Sequence, residues 1–370
     1  MSGGRAGYSK TFAWSQDAED HPNVLDYRHW QPECERPDGL VAPVRVDTTG
    51  LHGPTRNQAR GSRWRQTSPG LYVPTTVDPS LVEQRILEQG HRVKKHGAVG
   101  GWSALRWYGA TYFDGTDRRG GTLPVFLVTC GSNLRPDSRV QLDYSTLAQT
   151  ERVEVAGLRC TTIQRALFDF MRHARNVREA VVAMDMTAAA RLISVYLMDL
   201  YVEQRAAWTG VPMVRTALAL ASNDSRSPME TLMRLIWILD AMLEPPVCNQ
   251  PLFSTSGVLL GYPDLLDVES GTLGEYDGVD HKDRDRHRAD VEREARYRDH
   301  GLEYFTVVGG DIGERDKVVR RMHAARSRAR FAKPENRQWT LTPPSWWIPR
   351  EEPLDVHLAR LGTAPLLLRT

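Results

Sequence analysis

The sequence lacks the features that define several protein classes. Its 370 residues include only four cysteines, and no two of them form a C-x-x-C pair. No apolar run reaches the roughly 18 residues of a membrane-spanning helix, and the first residues contain no apolar stretch of the kind found in signal peptides. We therefore expect a cytoplasmic protein with reduced thiols that neither enters a membrane nor is exported.

Lysine is also scarce, since it supplies six of the 48 basic residues and arginine supplies the other 42. Against 46 acidic residues the net charge is +2, which excludes a protein that is basic throughout. The net charge does not show whether acidic and basic residues are concentrated in different parts of the chain. That local distribution determines nucleic-acid binding. The hydrophobic fraction of 41% excludes an intrinsically disordered chain.

Changes in composition along the chain indicate four segments. We expect a loosely ordered arm over 1–44, a mixed α+β region over 45–224, an α/β domain over 225–332 and a proline-rich tail over 333–370. The third segment has the predicted order helix, strand, strand, helix, strand, helix, which indicates a sheet flanked by helices. The predicted fold class is α/β in this domain and α+β for the whole chain.

Acidic residues are concentrated in the third segment. Nine carboxylates and one basic residue, Arg234, lie between residues 227 and 280, a local charge of about −8. Glu275 and Asp277 are two apart on a predicted strand and share a face, and Asp264 precedes them at a bend expected on the neighbouring strand. Converging carboxylates suit a hard divalent ion, Mg²⁺ or Mn²⁺.

This region resembles the very-short-patch-repair-endonuclease-like branch of the PD-(D/E)XK restriction-endonuclease superfamily. The resemblance covers about residues 225–332 and rests on Pro263-Asp264, Glu275-Tyr276-Asp277-Gly278 and His281. It implies a restriction-endonuclease-like domain with a central mixed sheet. It also implies hydrolysis of a DNA phosphodiester, with Asp264 and Glu275 as metal ligands and Asp277 as a further metal ligand or a base.

The same resemblance implies catalytic roles for three further residues. Glu230 matches an acidic residue on the leading helix, His281 would position water or phosphate, and Arg293 would face the scissile phosphate. Asp277 stands where many members of the superfamily have lysine. Without that lysine, stabilisation of developing charge must come from His281, Arg293 or a second ion.

Each of these residues also has a structural interpretation. Glu230 follows Ser227 and Pro228 as in a capping box, which stabilises a helix start. Glu275 with Asp277 could form a solvated strand face, His281 could be a surface residue, and Arg293 lies on a helix with its own salt-bridge spacing. The sequence leaves these alternatives open.

Basic residues are concentrated near the C-terminus. Seven basic residues and one acid lie between residues 320 and 337, a local charge of about +6. A helix with Arg320, Arg321 and Arg328 on its surface would bind phosphates, or it would present a merely solvated basic face.

The N-terminal part resembles the shortened winged-helix start of abortive-infection type IV antitoxins. The resemblance rests on residues 55–60, on Arg65 and on residues 69–74. The segments 102–105 and 161–167 are similar to the continuation of this region in actinobacterial proteins that join it to an endonuclease-like end. It implies phosphate contacts by basic residues and a cognate toxin or other protein partner. The basic residues are Arg56, Arg60, Arg63 and Arg65, which could equally belong to an arginine-rich loop.

Together these patterns predict a metal-dependent DNA endonuclease of repair or of defence against foreign DNA. The alternative is a DNA-binding, antitoxin-like transcriptional regulator whose nuclease fold is inactive. A structural protein without nucleic acid is a third interpretation, which the basic helix disfavours.

Overall fold

The computed structural model describes residues 34–117, 119–278, 284–349 and 351–361. Over these residues the protein is a mixed α+β structure with ten α-helices and fourteen short strands in four sheets. The predicted mixture of helix and strand is therefore confirmed. All four cysteines are free thiols, and Cys160 and Cys248 are buried. None of the described helices is long and apolar enough to cross a bilayer.

A three-stranded antiparallel sheet comes first in the described chain. It has the order β1-β3-β2 and is formed by β1 (Val44–Arg45), β2 (Trp64–Ser68) and β3 (Leu71–Pro74). Gly70 adopts a φ of 78° in the turn between β2 and β3, a conformation that glycine enters without a steric penalty. Helix α1 (Val82–Gly90) follows and packs against β2.

A five-stranded mixed sheet and a layer of helices form the largest core. The sheet has the order β6-β5-β4-β8-β7. Its strands are β4 (Ala98–Val99), β5 (Val125–Val128), β6 (Val140–Asp143), β7 (Arg152–Val155) and β8 (Leu158–Thr161). The helices are α2 (Gly101–Trp107), α3 (Ile163–Arg172), α4 (Val177–Ala189), α5 (Val195–Glu203) and α6 (Val211–Leu220).

Six charged side chains form a buried ion network in this unit. Arg165 is fully buried and donates to Asp169 Oδ2 at 2.8 Å and Glu151 Oε2 at 3.0 Å. Arg172 bridges Asp169 and Asp143, and Arg205 reaches Glu151. Three positive and three negative groups therefore compensate one another away from water.

The second large unit begins with α7 (Pro228–Leu239) and ends with α9 (Arg315–Arg328). Between them lie β9 (Leu252–Ser254), β10 (Leu259–Gly261), β11 (Leu265–Asp267), β12 (Thr272–Asp277), α8 (Arg284–Asp299) and β13 (Glu303–Val308). Strand β12 is central, antiparallel to β11 and parallel to β13. The expected order of elements is present with two differences: β9 precedes the first predicted strand, and a bend divides that strand into β10 and β11.

The two faces of this sheet bury different partners. Leu265 and Phe305 pack with α7 and α9, whereas Leu266 and Leu273 pack with Tyr297 of α8. This alternation follows from the two-residue period of a strand. Glu275 lies two residues beyond Leu273 and therefore faces α8.

The proline-rich C-terminal segment has more regular structure than the sequence predicts. Its strand β14 (Trp339–Thr340) pairs with β9, and its helix α10 (Leu354–Arg360) buries Leu358 in the core of the five-stranded unit. The prolines lie between and before these elements, where they break no backbone hydrogen bond. Apolar side chains on either side of the prolines therefore hold the segment against the body of the protein.

Candidate active site

Asp264 and Glu275 come together through the pairing of β11 with β12. Leu265 lies opposite Gly274 in this antiparallel ladder, so the residue before Leu265 is adjacent to the residue after Gly274. The backbone N–H of Tyr276 donates to Asp264 Oδ2 at 2.7 Å, which fixes the carboxyl group at the end of the ladder. The expected placement of Asp264 beside the Glu275 strand is confirmed.

Asp264 has an unusual electrostatic environment. Its pKa is raised from 3.8 to about 7, first by burial and then by the negative charges of Glu230 and Glu275. The Tyr276 N–H and the charge of Arg293 act in the opposite direction but do not restore the ordinary value. Burial and the nearby negative charges therefore favour the protonated form of this carboxyl group.

Glu275 is buried and lies beside two tyrosines of the α8 face. Its Oε2 accepts from Arg293 Nη2 at 2.6 Å. Burial and then its negative charge raise the pKa of Tyr304 to about 12, and they also raise the pKa of Tyr297. Arg293 thus reaches the site as expected, with a carboxylate as its partner in this structure.

Glu230 lies in the first turn of α7 and is also one of the carboxylates near Asp264. Ser227 Oγ accepts from the Glu230 backbone N–H at 3.1 Å, as an N-cap does. Glu230 Oε2 accepts from the backbone N–H of Arg226 at 2.9 Å, one residue before the position that a complete capping box uses. Its charge nevertheless reaches Asp264, so the two interpretations of Glu230 are compatible.

Asn249 belongs to the site, although the sequence analysis did not single it out. Its Nδ2 donates to Glu230 Oε2 and to the backbone oxygen of Asp224, both at 2.8 Å. Its backbone has a φ of 50°, a left-handed conformation that asparagine tolerates better than most residues. An Asn-Gln-Pro turn in the sequence is the only signal that could have indicated this position.

Asp277 differs from Asp264 and Glu275 in its exposure to solvent. It shares the face of Glu275, as the strand period predicts, but it is exposed at the end of β12. His281 lies outside the described residues. The structure therefore groups Asp264 with Glu275 and Glu230, and it leaves Asp277 at the solvent edge.

The described residues contain no group of three or more His, Cys, Asp or Glu side chains close enough to hold a metal ion. The predicted three-ligand set of Asp264, Glu275 and Asp277 is thus not assembled among the described residues. Asp264 and Glu275 stay a predicted pair of ligands.

The basic residues predicted to bind nucleic acid fall into two groups. Several are exposed and form no ion pair within the described chain, namely Arg56, Arg60, Arg63 and Arg320. The others are held by carboxylates of the protein itself. Arg65 pairs with Glu88 at 2.7 Å, Arg321 with Asp311 at 2.8 Å and Arg328 with Glu303 at 2.7 Å.

Comparison with known proteins gives no relative for this chain. No protein-family model, curated protein or solved structure matches it.

Proposed function

We propose that the chain is a metal-dependent DNA endonuclease that hydrolyses or nicks phosphodiesters in repair or in defence against foreign DNA. The observation that carries the proposal is the grouping of Asp264 with Glu230 and Glu275. Burial, and then the negative charges of Glu230 and Glu275, raise the pKa of the Asp264 carboxyl group to about 7, although the Tyr276 N–H and Arg293 act in the opposite direction. Natural sites that concentrate like charge in this way are often functional.

The arrangement of the second unit supports a restriction-endonuclease-like fold. A mixed sheet carries the two carboxylates, with α7 and α9 on one face and α8 on the other. This agrees with the mixed sheet flanked by helices that the motif resemblance implies. The fold assignment itself is part of the proposal.

The donor set fits a hard divalent cation. Asp264 and Glu275 supply carboxylate oxygens, and the raised pKa of Asp264 marks a place where positive charge is lacking. We propose that these two residues hold Mg²⁺ or Mn²⁺. When bound, the ion would polarise a phosphoryl oxygen and lower the pKa of a water molecule.

The remaining side chains would position the substrate. Arg293 lies on Glu275 and would donate to a non-bridging phosphate oxygen. Asp277, exposed beside the buried pair, would accept a proton from the attacking water. Glu230 is held by Arg226 N and by Asn249, so it would keep the charge around Asp264 negative.

A DNA-binding, antitoxin-like regulator is the second candidate function. The ion pair between Arg293 and Glu275 favours it, because a neutralised carboxylate binds a cation less well. The exposed Arg56, Arg60 and Arg63 precede the β2–β3 hairpin and would contact phosphates. A cognate toxin or other protein would then be the partner.

A cleavage assay separates the two functions. We expect the wild-type protein to nick supercoiled DNA in Mg²⁺ or Mn²⁺, and Asp264→Asn and Glu275→Gln to lower the rate by about 100-fold or more. Glu269→Gln is the matched control, because Glu269 is an exposed acid of the same sheet unit that pairs with Arg326. Cleavage that survives both site substitutions would rule out this site. DNA binding without cleavage by the wild type would favour the regulator.

A further inference from the structure

A cavity of about 570 Å³ lies beside the carboxylate group. Its walls come from the segment before α7, the turn before β9, the bend before β11 and the proline-rich C-terminal segment. We call it the Trp347 cavity, and its lining includes Asp224, Arg226, Asn249, Gln250, Tyr262 and Trp347. The size is that of a small-molecule or nucleotide site.

The cavity is continuous with the proposed catalytic residues through three of its lining residues. Asn249 donates its side-chain amide to Glu230, and the backbone of Arg226 donates to the same carboxylate oxygen. Tyr262 stands two residues before Asp264. A group in the cavity would therefore lie next to a phosphate at the carboxylates.

The charged side chains that line the cavity interact with other groups of the protein. Arg191 pairs with Glu351 at 3.2 Å and donates to the backbone oxygen of Glu352. The charge of Arg226 acts on Asp224, which also forms a hydrogen bond with Gln250. The remaining binding chemistry is neutral and consists of amides, aromatic rings and prolines, so it does not suit a phosphate or another strongly charged group.

Trp347 offers an aromatic surface to the cavity. Its ring contacts Phe253 at 5.1 Å and Tyr262 at 6.3 Å, with interplanar angles of 77° and 47°. Its contact with Trp346 is also tilted, at 75°. No described aromatic ring therefore lies flat on Trp347, and a planar ligand can stack there.

Asn249 presents an acceptor. Both neighbours of its Nδ2, the Glu230 carboxylate and the Asp224 carbonyl, are acceptors, which fixes the orientation of the amide. Its Oδ1 forms no hydrogen bond within the described residues and is left for a donor. A planar, neutral ligand with an amino group matches this pairing of aromatic face and acceptor.

We propose that the Trp347 cavity binds an unpaired nucleobase of a DNA strand, one that carries an exocyclic amino group. The base would leave the duplex, stack on Trp347 and donate to Asn249, while its strand passes the carboxylates. This inference rests on the proposed function for the presence of DNA. It adds the substrate class, which is DNA with an unpaired or extruded nucleotide.

The test measures binding in EDTA, so that cleavage plays no part. Two fluorescein-labelled duplexes are compared by anisotropy, one with an adenine opposite an abasic site and one fully paired. Stacking of one base contributes about 1–3 kcal/mol, so we expect roughly 10-fold tighter binding of the unpaired duplex. Trp347→Ala should remove this preference and leave the affinity for the paired duplex unchanged.

Trp346→Ala is the matched control. Trp346 is the neighbouring tryptophan, 60% exposed, and it does not line the cavity, so the variant should keep the preference. If Trp347→Ala fails to fold, Pro349→Trp obstructs the cavity from an exposed lining position and should also remove the preference. Melting curves establish that each variant is folded.

Equal affinity for the two duplexes would overturn the proposal, as would a preference that Trp347→Ala and Pro349→Trp both retain. Displacement of DNA by dAMP at equal concentration would overturn it too, since the ligand would then be a free nucleotide. A preference lost in Trp347→Ala but with no cleavage in Mg²⁺ would support the cavity and contradict the nuclease. Cleavage without the preference would do the reverse.

Discussion

Two charge clusters, one buried and one partly buried, distinguish the halves of this protein. In the five-stranded unit, Arg165, Arg172 and Arg205 face three carboxylates in a balanced network. Although burial pushes the pKa of Glu151 upward, hydrogen bonds from Tyr201 and the charges of two arginines bring it below its ordinary value. In the second unit, Glu230, Asp264 and Glu275 lie near Arg293, and burial together with the charges of Glu230 and Glu275 raises the pKa of Asp264 to about 7.

The two clusters differ in whether positive and negative groups are balanced, and this difference distinguishes a structural cluster from the candidate site. In a balanced network each charged group has an oppositely charged partner in the protein. An acidic cluster with one cation is stable only if a proton, or another cation, supplies the missing positive charge. This is why the second cluster, and not the first, is the candidate site.

Of the substitutions considered, replacing an arginine of the balanced network should have the largest effect on stability. Arg165→Met keeps the side-chain volume but leaves Asp169 and Glu151 with fewer partners. Breaking a buried pair costs about 3–5 kcal/mol, so the free energy of unfolding should fall by that amount. Urea denaturation of both proteins measures it.

The matched control is Arg175→Met. Arg175 pairs with Glu179 at 2.7 Å, but its side chain is 60% exposed. Surface pairs contribute about 0–1 kcal/mol, so this variant should be near wild type. Equal losses in the two variants would contradict the description of Arg165 as a network centre.

The acidic cluster should give a smaller effect that depends on pH. Asp264 keeps its proton up to about pH 7 in the folded protein, against 3.8 for an ordinary aspartate. Between these values the folded state binds more protons than the unfolded state, so this group lowers stability as pH rises from about 4 to about 7. Asp264→Asn removes the titration and keeps a side-chain oxygen for the Tyr276 N–H.

At pH 8 the Asp264→Asn variant should therefore be more stable than wild type, by about 1–2 kcal/mol after allowance for solvent exposure. At pH 4 the difference should vanish. Urea denaturation at both pH values, with Glu269→Gln as the control, measures it. Parallel pH profiles for wild type and Asp264→Asn would show that the charges around Asp264 are compensated.

The smallest expected effect is on the salt dependence of DNA binding, and it distinguishes a paired from an unpaired arginine of α9. Arg320 is exposed without an ion pair in the described chain, whereas Arg321 is bound by Asp311 and by the Thr306 carbonyl. If Arg320 contacts phosphate, Arg320→Ala should reduce the salt dependence of DNA binding by about one unit of slope. Arg321→Ala should lower stability and leave the slope unchanged, and the reverse result would contradict this division.

Local features of the second unit were predictable. Ser227 and Pro228 mark the start of α7, and the observed helix begins at Pro228. The two-residue period predicts a shared face for Glu275 and Asp277, and it also predicts Tyr276 on the other face. These features depend on neighbours in the sequence, which is why the sequence reveals them.

Long-range partners were not predictable. Arg165 and Asp169 are four residues apart on a helix, so helix spacing predicts their pair. Asp143 and Tyr201, however, join the network from distant segments. The sequence left a solvated role and a role at the site open for Arg293, and the structure pairs Arg293 with Glu275, eighteen residues earlier. The prolines of the C-terminal segment predict little regular structure, yet this segment packs against the cores of both units.

The sequence by itself determined where α7 begins, which strand residues share a face, and how much charge each segment carries. Only the tertiary structure decided which of these charges are compensated. A charge is costly or harmless according to its burial and to the groups within a few ångströms, and both depend on contacts between distant segments. Burial raises the pKa of both Asp169 and Asp264, but Asp169 lies among arginines whereas Asp264 lies among carboxylates.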